Sequence, residues 1–224
     1  MKRAGWTLMW LLASAIAIYA AAVLAVPGFG PPFIGTLRLT APFAVVAHLA
    51  GSIVALAVGA WQLNGRLRAR AIAVHRWMGR TYVAGVLVGG LGGLALARTS
   101  QEGLVTHIGF GLLAVLWLTC TVAGYLSIRR WDEQAHRAWM IRSYALTLAA
   151  VTLRIYLPLE LALGLSFRNA YRIVSWVCWV PNLVAAEWFV RMHASHETRF
   201  GCTWAGVICH AHATRCVRQL SRPL

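Results

Sequence analysis

Residues 75–82 read H-R-W-M-G-R-T-Y and residues 136–144 read H-R-A-W-M-I-R-S-Y, two versions of one phrase in which a histidine and two arginines lead into an apolar run. A second histidine precedes each phrase. His48 opens H-L-A-G-S-I-V-A ahead of His75, and His107 opens H-I-G-F-G-L-L-A ahead of His136 at nearly the same spacing. The middle of the chain therefore reads as two copies of a helix pair, each with one histidine towards either end. Tyr82 and Tyr144 close the two phrases and match across the copies.

Around this repeat the chain is too apolar for an ordinary soluble domain, with 59% hydrophobic residues, 12% charged residues and a mean hydropathy of +0.64. Six stretches, near 6–26, 42–62, 77–97, 105–127, 140–161 and 171–190, reach the ~20 residues that a helix needs to cross a bilayer. The expected fold is all-α, an integral membrane six-helix bundle in which spans two and three repeat as spans four and five. Because His48 and His107 lie near the same face, the copies run in the same sense, as in parallel repeats. Spans one and six flank them. Residues 1–190 are expected to form this transmembrane domain and 191–224 a cytoplasmic tail.

The net charge of +15 raises the question of nucleic acid, and its distribution answers it. With the N-terminus cytoplasmic, sixteen Lys and Arg residues fall on one side and only Arg38, Arg98, Arg168 and Arg172 on the other. That bias orients helical membrane proteins, so the basicity reports topology, with both termini cytoplasmic and no nucleic-acid partner. Lys2 and Arg3 precede an apolar run that is long enough to span. A signal-peptide core is roughly 7–15 residues, so span one is expected to be retained.

The five cysteines do not suggest a disulfide framework, and no C-x-x-C-H is present for covalent haem attachment. Cys202, Cys209 and Cys216 recur at intervals of seven beside His193, His196, His210 and His212. That spacing is not a zinc pattern, and a plain tail is the expectation. The six acidic residues are scattered, and no nucleophile–base pair suggests hydrolysis.

Four histidines in or beside apolar spans are candidate ligands, because a buried imidazole without a partner is costly in lipid. A haem iron with two protein ligands needs imidazoles on either side of one plane, from facing helices. Depth pairs His48 with His107 and His75 with His136, at levels roughly 22 Å apart by helical rise. The expected cofactor is haem b, up to two per chain, with these four residues on iron. Arg154, inside span five, needs an anion, either a haem propionate or Glu160. Gly85, Gly89 and Gly93 make one small-residue face of span three, which suits either close helix packing or a flat macrocycle. Each histidine also has an ordinary reading, as an interhelical hydrogen bond at His48 or a headgroup-facing side chain at His75 and His136. The alternatives to electron transfer are a cofactor-free transporter and an assembly factor.

From the two phrases, and from S-Y-A-L-T-L-A-A-V-T-L-R-I-Y at 143–156, the chain resembles a bacterial membrane-protein family catalogued as domain of unknown function 2306, over about 42–190. More distantly it is similar to the cytochrome b561 family and related transmembrane ferric reductases, whose H-S-W-L-G is like H-R-W-M-G here. That resemblance implies haem ligands on helices two to five, paired two with four and three with five, which fall on His48, His107, His75 and His136. It implies a quinol or ascorbate-like donor and, as acceptor, a ferric chelate or another redox protein. Two departures stand beside it: the inner histidines lie at helix starts, and the surroundings of His136 are more basic. Together these readings place the chain in the bacterial inner membrane, with the lipid bilayer as its first partner and a homodimer as an admissible assembly.

Overall fold

The computed structural model describes residues 3–193. The described helices are α1 (Arg3–Ala25), α2 (Pro32–Thr40), α3 (Pro42–Gln62), α4 (Gly65–Arg70), α5 (Ile72–Ala97), α6 (Leu104–Arg129), α7 (Glu133–Thr147), α8 (Ala149–Ala162) and α9 (Phe167–Val177). Helix resumes over 180–193. Six segments are long and apolar enough to cross a membrane: Ala4–Ala25, Pro42–Gln62, Ile72–Ala97, Leu104–Arg129, Glu133–Ala162 and Phe167–His193. The expected all-α, six-span architecture is the observed one. The chain divides into two units at Val184/Ala185. The candidate residues of the spans all belong to the first. In the second, Arg191 Nε donates to Glu187 Oε1 at 2.8 Å, and a His193 ring nitrogen bonds the Phe189 carbonyl. The tail cysteines and His196, His210 and His212 lie outside the described residues.

Two spans begin earlier than hydropathy suggests. Span three starts at Ile72 rather than 77, and span five at Glu133 rather than 140. Arg76, Arg80, Arg137 and Arg142 lower the local hydropathy without breaking the helix, since arginine is a good helix former whose long stem can carry its charge to the membrane surface. Local chemistry fixes the starts. Asp132 caps α7 by accepting the Ala135 N–H at 2.8 Å, Asn64 caps α4, and Pro32 and Pro42 stand in the first turns of α2 and α3.

Four helices close a ring. α3 packs on α5, α5 on α6, α6 on α7, and α7 returns to α3; α1 lies against α3 and α8, and α9 against α6 and α8. The α3–α5 contact is backbone on backbone. A Cβ added at Gly51 would stand 2.5 Å from the Gly85 carbonyl oxygen and 2.6 Å from the Gly89 Cα. One added at Gly92 would stand 2.6 Å from the His48 N. Of the two uses expected for the glycine face, α3 takes it for packing: Gly85 and Gly89 face Gly51, Ser52 and Val54.

Candidate functional site

His75 and His136 occupy one register. His75 is the fourth residue of α5 and His136 the fourth of α7, with their N–H groups bonded to the Ala71 and Asp132 carbonyls at 3.0 Å. The phrases that follow are also alike in three dimensions. Arg80 lies over the Trp77 ring at 5.0 Å, and Arg142 over the Trp139 ring at 4.9 Å.

The histidine rings differ in what they touch. A His48 Nδ1–H donating to the Gly89 carbonyl, at 2.9 Å, leaves Nε2 as the lone-pair nitrogen. His136 does the same through Nδ1 to the Gly124 carbonyl of α6, at 2.8 Å. His107 uses the opposite nitrogen, Nε2, on the Ser100 carbonyl in the α5–α6 connection, at 2.8 Å. His75 is the exception, because its Nδ1 is shielded from solvent and has no hydrogen-bond partner. Its electrostatic neighbours are Arg68, His136 and Arg76. The arginine-rich end thus holds both His75 and His136, with His136 among the electrostatic neighbours of His75. At the other end His48 is tied to α5 and His107 to its own connecting loop. About 14 residues of α5 separate His75 from the Gly89 carbonyl that holds His48, a rise of roughly 21 Å.

Arg154 meets no carboxylate among the described residues. Its guanidinium donates to the Ala150 carbonyl of its own helix at 2.9 Å and lies 5.2 Å from the centre of the Tyr19 ring. The Glu160 alternative therefore drops out: Glu160 Oε2 is shielded and has no hydrogen-bond partner. The two stand at i and i+6, which turns them to different sides of the helix.

Between the histidine levels lies a cluster that composition alone did not single out. Tyr82 Oη is 2.8 Å from Ser143 Oγ and 2.9 Å from Thr147 Oγ1; Ser143 Oγ is 2.6 Å from Thr121 Oγ1. Trp117 Nε1 donates to Thr147 Oγ1 at 2.9 Å, and Thr121 Oγ1 donates to the Trp117 carbonyl at 2.8 Å. All the hydrogens find acceptors if Thr147 donates to Tyr82, Tyr82 to Ser143 and Ser143 to Thr121. Four bonded hydroxyls are thus buried where α5, α6 and α7 meet. Tyr144, whose ring centre is 6.4 Å from that of Tyr82, stays outside the network with its hydroxyl buried and unpartnered. The sequence signal was present in S-Y-A-L-T, where Ser143 and Thr147 are one helical turn apart.

One finding places the chain among known proteins. The family described as "Predicted membrane protein (DUF2306)" matches residues 45–190. The chain belongs to this family. No curated protein and no solved structure matches it. The family's description is that of a membrane protein, in agreement with the six spans.

Proposed function

We propose that this DUF2306 protein carries single electrons across the bilayer by means of haem b. The observation that carries the reading is the placement of four histidines on the four ring helices, at two levels about 21 Å apart along α5. The residues present suit the cofactor best at the arginine-rich end. There His75 Nδ1 is buried and unpartnered, and the Nδ1 bond of His136 to a main-chain carbonyl leaves Nε2 free. A carbonyl behind the remote nitrogen is the usual support for a metal-bound imidazole, fixing its tautomer and orientation. Arg68 and Arg76 would neutralise propionates there. The opposite level suits it less: His48 has the same support from Gly89, whereas His107 has turned Nε2 to Ser100 and offers only Nδ1.

When bound, the haem would supply a one-electron iron couple, and the protein would set its potential through the histidines that hold the iron and the burial around it. His75 and His136 would hold the iron at the first level and His48 and His107 at the second. Arg154 would lend positive charge near His48. A quinol or ascorbate-like reductant would be the donor. The bilayer is the setting either way.

The test is an oxidised-minus-reduced absorption spectrum of the purified protein, with haem quantified as its pyridine complex. Two b haems per chain support the reading in full. One haem lost equally in His75→Ala and His136→Ala, and retained in His107→Ala, assigns electron transfer to the arginine-rich level alone. No haem after expression with haem supplied would overturn the proposal.

A further inference from the structure

A second site stands apart from the histidines, at the end of the bundle away from the arginine cluster. Tyr156, Leu159, Glu160 and Leu163 share one face of the fifth span, and with Val177 and Pro181 of the sixth they enclose an open cleft of about 270 Å³. Its lining is apolar except for the Tyr156 hydroxyl, the Glu160 carboxylate and the main chain.

Every strong polar feature of the cleft except that hydroxyl can only accept. Glu160 Oε2 is shielded and has no hydrogen-bond partner. Pro181 has no N–H, so the Val177 carbonyl loses the donor that a helix places four residues on. The Tyr156 ring adds a negative π face. Among the described residues no arginine serves the carboxylate. Arg154 is held by Ala150 and Tyr19, Arg168 pairs with Glu102 at 3.0 Å, and Arg172 Nε donates to the Glu102 carbonyl at 3.1 Å. A carboxylate oxygen shielded from solvent without a hydrogen-bond partner or counter-ion is costly, and such groups mark candidate ligand or ion sites.

We propose that this cleft binds a primary ammonium group attached to an apolar body. The N–H donors of the ammonium would meet Glu160 and the Val177 carbonyl, its charge would meet the Tyr156 ring, and its chain would lie along Leu159 and Leu163. Two sources share that chemistry, the ethanolamine headgroup of a phospholipid and a free alkylamine. Glu160 is two residues from the end of α8, roughly 3 Å of helical rise, which puts it at the end of the span and within reach of a headgroup. The site needs no haem and stands or falls separately from the electron-transfer reading.

The test uses the full chain in phosphatidylcholine nanodiscs. Native mass spectrometry is run after adding phosphatidylethanolamine, and calorimetry with hexylamine. Phosphatidylcholine is the built-in control, since it has the same charge on nitrogen but no N–H. We expect phosphatidylethanolamine retained over phosphatidylcholine, or hexylamine bound, with a preference of about tenfold that Glu160→Gln removes and Glu133→Gln leaves in place. Retention of the lipid without hexylamine binding assigns the headgroup, and the reverse assigns a free amine. Equal retention of both lipids by the natural protein with no hexylamine binding overturns the proposal even if Glu160→Gln fails to fold. So does a preference that survives in a folded Glu160→Gln.

Discussion

The two helix pairs that begin with His48 and His107 share a phrase and a register but not a way of packing. In the first pair α3 and α5 touch through main chain, with Gly51, Gly85, Gly89 and Gly92 bringing the helices together. The second pair has no such seam. Gly124 of α6 faces the Met140 and Trp139 side chains of α7, and the centre is held by hydroxyls: Thr121, Ser143 and Thr147, joined by Tyr82 from the first pair. Lipid gives no hydrophobic drive for helices to associate, so van der Waals contact and hydrogen bonds must do it. This molecule uses one device in each half. A repeat in sequence can therefore preserve what sits at the membrane surface while the buried faces diverge.

The contrast predicts the largest effect at the glycine seam. Gly51→Ala forces a methyl group into the Gly85 and Gly89 backbone, which cannot move aside as a side-chain tip can. Overpacking costs typically about 1–3 kcal/mol and more where backbone must shift, and here we expect loss of most folded protein, read as size-exclusion yield after solubilisation. Gly124→Ala is the matched change in the second pair. Its Cβ would meet Met140 Sδ at 2.8 Å, a flexible neighbour, so the loss should stay below about 1 kcal/mol. Equal losses at the two positions would mean that the packing contrast is not energetic.

The next effect is smaller and has a sign as well as a size. Tyr82→Phe removes a hydroxyl bonded to both Ser143 and Thr147, and membrane hydrogen bonds are worth about 0.6–1.7 kcal/mol each. Tyr144→Phe removes a buried hydroxyl with no partner, so it should be neutral or stabilising. Thermal unfolding of the two variants in one detergent should separate them by several degrees, with Tyr82→Phe the lower. If Tyr144→Phe is the more damaging, its hydroxyl has a partner that only the assembled or ligand-bound protein supplies.

These pairs also show what was legible in the chain. Six spans and the repeated phrase follow from periodicity and composition, which are properties of single positions. Positions along each helix were legible for the same reason, since helical rise converts residue numbers into length. Azimuth was not. Whether His107 presents Nε2 to a facing helix or to Ser100 depends on the rotation of α6 and the path of the loop before it, and neither has a pattern in sequence. The glycine face of α5 was visible, but its occupant could be a helix or a macrocycle until Gly51 was seen opposite. Arg154 was visible as a charge in need of a partner, but the Tyr19 ring that receives it belongs to α1, at the far end of the chain from it.

The smallest effect tests what the two halves share. Trp77 with Arg80 and Trp139 with Arg142 make the same cation–π contact, at 5.0 Å and 4.9 Å, at corresponding places beside the arginine-rich surface. Trp77 is exposed and Trp139 half-buried. A cation–π contact at an exposed site is worth about 0.5–1 kcal/mol, and more when it is desolvated. Trp77→Leu and Trp139→Leu should therefore both cost little, with the second cost the larger, because Trp139 also packs into the core while Trp77 faces outward. The arginine-rich ends of α5 and α7 hold His75 and His136, so the same two variants also report on the site. If the paired tryptophans only anchor the surface, haem content should be unchanged in both. A loss of haem in Trp139→Leu alone, with its fold intact, would mean that the contact at Arg142 also holds His136 in place, and the likeness of the two phrases would then conceal a difference in function.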